Sequence, residues 1–144
     1  MQLKDVMTPG VEVIAPEASI YEAAEKMSHL DIGPLPVCDG ERLVGMLTDR
    51  DITVRAVAAG RDPRMTPVRD IMTPDVVYGF EDQDVQDAAR LMAQYQIRRL
   101  PVLNRSKQLV GMVALGDLAV HAGTQPRAAE VLEQVSEPGT SGRK

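Results

Sequence analysis

Apolar and polar positions alternate with two periods along this chain, and the same succession of periods occurs twice. Val11 to Ile14 predicts a short strand. Ser19 and Glu22, three apart, form a capping-box pattern, and Ile20, Ala23, Ala24 and Met27 then recur at helical spacing as one buried stripe. Leu35-Pro36-Val37-Cys38, a turn at Asp39-Gly40 and Arg42 to Leu47 predict two strands joined as a hairpin. A second helix is expected from about Asp49 to Ala59, with Gly60 as its C-terminal cap.

The second occurrence is a tandem duplication. Lys4-Asp5-Val6-Met7-Thr8-Pro9 returns as Arg69-Asp70-Ile71-Met72-Thr73-Pro74, and the same shift of 65 aligns Ala23-Ala24 with Ala88-Ala89 and Leu35-Pro36-Val37 with Leu100-Pro101-Val102. One inserted residue in the turn Asn104-Arg105-Ser106-Lys107 makes the shift 66, pairing Leu43-Val44-Gly45-Met46 with Leu109-Val110-Gly111-Met112 and Asp51 with Asp117. Asp84 and Asp87 stand where Ser19 and Glu22 stand, and Val85, Ala88, Ala89 and Met92 repeat the stripe. Each copy reads β-α-β-β-α over about 60 residues, too few to bury two helices and a sheet comfortably alone, so the copies are expected to pack face to face. The expected organisation is a first repeat over residues 1–60, a connector over 61–68 containing Pro63 and Pro67, a second repeat over 69–123, and a terminal segment over 124–144. In the second repeat the last helix is expected from about Leu115 to Gly123; beyond it come a short helix from Pro126 to Val135 and a disordered tail from Glu137.

Composition narrows the class. The chain has 144 residues, 44% of them hydrophobic, with no Trp and Phe80 as the only Phe, so its core is aliphatic and Met-rich. A formal net charge of -5 argues against nucleic acid and against anionic membrane surfaces as partners. A charged opening without a long apolar run gives neither a signal peptide nor a membrane span, so the cytoplasm is the expected location. Cys38, the single cysteine, allows no internal disulfide and no zinc site.

Candidate chemistry concentrates in Gly45-Met46-Leu47-Thr48-Asp49-Arg50-Asp51, an apolar strand ending in a hydroxyl and two carboxylates at a helix start. Two readings stay open. Thr48-x-x-Asp51 is close to a capping box that needs no ligand, and it is also a place for a sugar and a phosphate, with a carboxylate accepting from both ribose hydroxyls and the hydroxyl facing the phosphate. In the echo Gly111 to Asp117, Ala114 removes the hydroxyl and Asp117 remains. Arg98-Arg99, with Arg50, could neutralise phosphate; being adjacent on a strand, at most one of the pair points into any one site, and the alternative is a solvated pair or a salt bridge to an acid such as Asp49. Cys38 lies inside an apolar strand and His29 at a helix end, so an inert buried thiol is expected rather than a nucleophile and base, and no enzyme activity is expected. His121 reads as a helix-end cation, and Met27, Met46, Met92 and Met112 as core filling rather than metal ligands.

From Lys4 to about Ala122 the chain resembles a tandem pair of CBS domains, the cystathionine-β-synthase-type repeats of a Bateman module, and in particular small stand-alone prokaryotic members. The resemblance is carried by Asp5-Val6-Met7-Thr8-Pro9, Gly33-Pro34-Leu35-Pro36-Val37 and Gly45 to Asp51, each with its second copy. It implies an α/β (α+β) fold of two β-α-β-β-α repeats with pseudo-two-fold symmetry, sheets central and helices outside, and a homodimer. It also implies a regulatory, signalling role without catalysis: AMP, ADP, ATP or S-adenosylmethionine bound in one or both clefts between the repeats, no required cofactor, no metal, and output through an unknown downstream protein. On this pattern Thr48, Asp51, Asp117 and Arg50 would meet ribose and phosphate, Gly33, Pro34, Leu35, Pro36, Arg99, Leu100 and Pro101 would surround the adenine, and Arg98 and Arg99 are candidate phosphate contacts. The alternative is a ligand-free dimeric adaptor in which Asp51 and Asp117 only cap helices.

Overall fold

A computed structural model gives the fold over residues 1–120. The expectations for His121, the helix stop at Gly123, the helix from Pro126 to Val135 and the tail lie outside the described residues. The fold is mixed α and β, in two compact units.

One unit comprises residues 12–76. Helix α1 (Ile20–Leu30) starts at Ser19, whose hydroxyl accepts from the Glu22 N–H at 3.1 Å, so half of the expected capping box is formed. The helix stops without a glycine: Asp31 takes the left-handed conformation (φ 54°) and the Ile32 N–H reaches back to the Met27 carbonyl at 3.0 Å. Ile20, Ala23 and Met27 are buried as the spacing predicts, but Ala24 is exposed, so the buried stripe is narrower than expected. Strands β2 (Pro34–Asp39) and β3 (Arg42–Thr48) form the expected hairpin. Their core-facing residues Leu35, Val37 and Leu47 pack with Ile20, Ala23 and Met27 in one cluster.

Helix α2 (Asp49–Asp51) continues as a π-helical turn from Ile52 to Val57 instead of the expected α-helix to Ala59. Two causes are visible. Ile52, Thr53 and Val54 are β-branched, and the Thr53 hydroxyl donates to the Asp49 carbonyl at 3.1 Å, so side chain competes with backbone for that acceptor. Gly60 closes the segment as expected, with φ 72° and the Arg61 N–H bonded to the Ala56 carbonyl at 3.0 Å.

The other unit comprises, among the described residues, 1–11 and 77–120. Its sheet runs β1 (Thr8–Pro9), β6 (Leu109–Ala114), β5 (Arg99–Leu103), β4 (Gly79–Phe80), with only the β4–β5 pair parallel. Helix α3 (Val85–Tyr95) is capped by Asp84, which accepts from the Gln86 N–H at 2.7 Å, and it ends at Gln96 in the left-handed conformation. Here both alanines of the stripe, Ala88 and Ala89, are buried, in one cluster with Leu115 and Leu118 of α4 (Leu115–Val120), which packs on α3.

The compact units are therefore not the two sequence repeats. Each repeat's leading Asp-apolar-Met-Thr-Pro segment is built into the unit of the other. The Leu3 and Lys4 N–H groups donate to the Gln83 and Glu81 carbonyls at 2.9 Å each, and Thr8 sits in register with Met112. Likewise Val68 and Arg69 donate to Ala18 and Pro16, and Met46 and Thr73 exchange both backbone bonds, at 2.9 and 2.8 Å. The expected short strand at Val11 to Ile14 is correspondingly reduced to one bridge, Ile14 beside Val37, while Thr8–Pro9 forms a strand that was not anticipated. The connector 61–68 is a packed part of the 12–76 unit: Thr66 is buried, its hydroxyl donates to the Asp62 carbonyl at 2.7 Å, and its own carbonyl receives the Ile20 N–H.

Gly45 and Gly111 make this exchange possible. A Cβ on Gly45 would come within 2.6 Å of the Met72 Sδ and 3.0 Å of the Thr73 oxygen; on Gly111 it would meet the Met7 Sδ at 2.7 Å and the Thr8 oxygen at 2.8 Å. Glycine is required because a neighbouring backbone lies against each strand.

Candidate ligand-binding site

In the 12–76 unit, strand β3 delivers Thr48 to the start of α2. The Thr48 hydroxyl accepts from the Asp51 N–H at 3.0 Å, and the Asp51 Oδ2 accepts from the Thr48 N–H at 3.0 Å. This is a complete capping box, so the ligand-free reading of Thr48-x-x-Asp51 describes a real structural role. It does not exhaust the carboxylate. Oδ1 has only the Arg55 Nε at 4.0 Å beside it, and the Asp51 side chain keeps 15% exposure. An acceptor oxygen held at a fixed orientation by the cap can still receive a ligand hydroxyl.

The turn before β2 adjoins this junction. The Asp49 N–H donates to the Gly33 carbonyl at 3.0 Å, Pro34 lies in register with Thr48, and the Asp49 carboxylate lies where a Cβ on Gly33 would be 3.2 Å from it. Asp49 also accepts from the Arg50 N–H at 2.9 Å, and both side chains are exposed. Leu35 is fully buried and Pro36 is buried, so their side chains belong to the core; Gly33 and Pro34 are partly accessible.

The second junction has the same backbone and different chemistry. The Leu115 N–H donates to the Arg98 carbonyl at 2.8 Å, Arg99 lies in register with Ala114, and the Asp117 Oδ2 accepts from the Ala114 N–H at 3.0 Å. Only the carboxylate half of the box exists here, because Ala114 brings no hydroxyl. Leu100 and Pro101 are buried, whereas Arg98 and Arg99 are exposed, and within their unit neither guanidinium is paired with a described residue.

Arg55 was not foreseen. Its Nη1 donates to the Ile71 and Met72 carbonyls at 3.2 Å each while its Nε faces Asp51, so it ties the junction to the segment that crosses Gly45. The Asp51–Arg55 spacing of four was the only trace in the sequence. Outside the junctions, Arg105 pairs with both oxygens of Asp82, at 3.0 and 2.8 Å, and lies 4.1 Å over the Phe80 ring. That hydrogen bond holds the Asp82 carboxyl below its ordinary range. Cys38 is buried, and burial pushes its thiol up, away from the reactive thiolate. Among the described residues no three His, Cys, Asp or Glu side chains group to hold a metal ion, and no helix is long and apolar enough to cross a membrane.

The sequence profile of the CBS domain matches residues 3–57 and again residues 68–122. The chain is 45% identical over 134 residues to the CBS domain-containing protein YhcV of Bacillus subtilis, spanning 93% of this chain and 94% of that protein. Among solved structures it is similar to Hypoxic Response Protein I with two coordinated zinc ions (36% identity, TM-score 0.76, covering 83% of this chain and 97% of that one). It is also similar to the CBS domain pair of MJ0100 with 5'-methylthioadenosine and S-adenosyl-L-methionine (30%, TM-score 0.69, 83% and 93%) and to CBSX2 with AMP (26%, TM-score 0.69, 94% and 98%).

Proposed function

We propose that this chain, which belongs to the CBS domain family, is a regulatory module that binds an adenosyl ligand at the Thr48–Asp51 junction. The observation that carries the reading is the fixed Asp51 carboxylate: Oδ2 is used in the cap and Oδ1 stays available, in a protein similar to pairs solved with AMP and with S-adenosyl-L-methionine. Thr48 and Arg50 stand beside it for phosphate, and Gly33 and Pro34 supply backbone and an apolar edge for the adenine. Leu35, Pro36, Leu100 and Pro101 act from beneath, by fixing the strands. Asp117 offers a second, half-capped copy of the same carboxylate. Ligand binding would bias dimer or partner conformation, which is the output of a module of this kind.

The completeness of the capping box also favours a second reading, a ligand-free adaptor. Asp51→Asn separates the two. Asparagine keeps a carbonyl oxygen to accept from the Thr48 N–H, but in place of the free Oδ1 it presents an NH2 group, a donor that cannot accept from a ribose hydroxyl. Titration calorimetry with AMP, ATP and S-adenosylmethionine should show binding to the wild type and a loss of tenfold or about that in Asp51→Asn at an unchanged melting temperature. No heat with any of the three ligands on the wild type would leave the adaptor.

A further inference from the structure

The eight methionines of the chain divide by exposure, and those of intermediate exposure share one kind of location. Met1 (55% exposed) and Met65 (78%) stand in solvent, while Met27 and Met92 are buried. The remaining four, Met7, Met46, Met72 and Met112, are part-buried, and all four lie where a leading segment crosses a hairpin strand. Met112 is in register with Thr8, and Met46 exchanges backbone bonds with Thr73. Met7 and Met72 fill the crossings themselves. The Met7 Sδ lies 2.7 Å from the place a Cβ would take on Gly111, and the Met72 Sδ 2.6 Å from that place on Gly45.

A thioether suits this space because it is apolar and flexible, and Met7 and Met72 each pack on the core cluster of their own unit. A sulfoxide does not suit it. Oxidation makes the sulfur polar and adds an oxygen atom, yet the polar atom beside the sulfur at each crossing is a carbonyl oxygen, that of Thr8 at 2.8 Å or Thr73 at 3.0 Å from the same Cβ place. Carbonyl and sulfoxide oxygens are both acceptors, so the nearest polar neighbour repels the product. The Thr73 carbonyl also receives the Met46 N–H at 2.9 Å, and this bond holds its segment against the strand.

We infer that Met7 and Met72 are sulfoxidation sites through which a hydroperoxide releases the leading segments from their strands. In the step a sulfur lone pair attacks one peroxide oxygen, an S–O bond forms and the O–O bond breaks. With hydrogen peroxide the second oxygen leaves as water after proton transfer; the sulfur is oxidised by two electrons and the peroxide reduced by two. A thioether needs no base to become reactive, and both side chains keep a part-exposed surface. Cys38, the other sulfur chemistry of the chain, is buried and does not compete for the oxidant. Each unit thus carries one oxidant-sensitive crossing, and ligand binding at Asp51 plays no part in it.

The test is graded treatment of the protein with hydrogen peroxide in chelated buffer, quenched with free methionine, with oxygen uptake at each methionine and amide hydrogen exchange both read by mass spectrometry. Met1 and Met65 should take up oxygen first and leave exchange unchanged. Met7 and Met72 should follow, ahead of Met27 and Met92, and their oxidation should speed exchange about tenfold in residues 3–9 and 68–74 respectively, as expected for losing part of a methionine's burial. Met7→Leu should abolish the peroxide response of 3–9 while 68–74 still responds, and Met72→Leu should do the reverse, since leucine keeps the apolar volume and cannot be oxidised. Reduction by methionine sulfoxide reductases of both epimer specificities should restore protection. If a leucine variant folds poorly, the wild-type time course decides, because deprotection must track oxygen uptake at Met7 or Met72 and not at Met46 or Met112. Oxidation of Met7 and Met72 no faster than that of Met27 and Met92, unchanged exchange once they are oxidised, or a response that survives in the leucine variants overturns the assignment.

Discussion

Gly111→Ala tests the exchange of leading segments directly. The new methyl would lie 2.7 Å from the Met7 Sδ and 2.8 Å from the Thr8 carbonyl oxygen. The sulfur ends a flexible side chain and can withdraw, but the carbonyl belongs to β1, which is paired with β6 through Thr8 and Met112. Relief therefore requires β1 to lift. Overpacking of this kind costs about 1–3 kcal/mol, and weakening one ladder bond adds about 1 kcal/mol, for a total of about 2–4 kcal/mol. For a chain of 144 residues, at about 3 °C per kcal/mol, that lowers the melting temperature by about 7–13 °C. Gly45→Ala should cost less, since its nearest backbone atom, the Thr73 oxygen, is 3.0 Å away. Gly116→Ala is the control: nothing lies within 4 Å of its Cβ position in α4, so alanine there should be neutral or stabilising by up to about 1 kcal/mol. Hydrogen exchange read by mass spectrometry supplies the decisive pattern. Gly111→Ala should deprotect the peptide spanning residues 3–9, although that peptide leads the other repeat, and Gly45→Ala should deprotect 68–74. Deprotection of 68–74 by Gly111→Ala, or a melting temperature within a degree of wild type, would refute the reasoning.

Three further outcomes follow from the geometry. Ala114→Thr supplies the missing hydroxyl opposite Asp117 and should stabilise the protein by about 0.5–2 kcal/mol in denaturant unfolding, provided the new side chain caps as Thr48 does. Asp82 should titrate below its ordinary value of 3.8 by NMR, because Arg105 hydrogen-bonds its charged form; its contribution to stability is full above 3.8, disappears as pH falls through the lowered folded value, and is absent in Arg105→Gln, where Asp82 should return to the ordinary range. Cys38 should react slowly with a thiol reagent in the native protein at pH 8 and rapidly after unfolding in guanidinium; fast native reaction would contradict its burial and raised thiol.

Much of the local structure was readable. The helices at Ile20 and Val85 were announced by Ser19 and Asp84 and by their apolar spacing, and the hairpins by alternation around Asp39-Gly40 and Asn104 to Lys107. Their C-termini were harder to read, because Asp31 and Gln96 adopt a conformation usually given to glycine. Ala24 could not be told from Ala89 by period alone: burial there depends on the neighbouring helix, and Ala89 clusters with Leu115 and Leu118. The π-helical turn was invisible for a related reason, since periodicity does not register which acceptor the Thr53 hydroxyl will take. At the site, Thr48, Asp51 and Asp117 stood out as residues, yet sequence left capping and binding as alternatives. The structure shows one Asp51 oxygen engaged in capping and the other facing the Arg55 Nε at 4.0 Å.

By itself the sequence determined the duplication, the element types, and the positions of Gly45, Gly111, Asp51 and Asp117, because these depend on spacing and side-chain chemistry within a few residues. Only tertiary structure decided which leading segment joins which sheet. Met7-Thr8-Pro9 and Met72-Thr73-Pro74 are identical triplets, and Gly45 and Gly111 accept either equally well as far as composition goes. Chain reach favours the exchange. The segment pairs on the outer edge of β3 or β6, while Ile14 and Gly79 pair on the far side of β2 or β5, so staying within one repeat means crossing the hairpin, about 14 Å at ordinary strand spacing. The five residues from Pro9 to Ile14 extend to about 17 Å at most, so a direct crossing would stretch them almost fully, with little length to spare for passing over a face already covered by a packed helix.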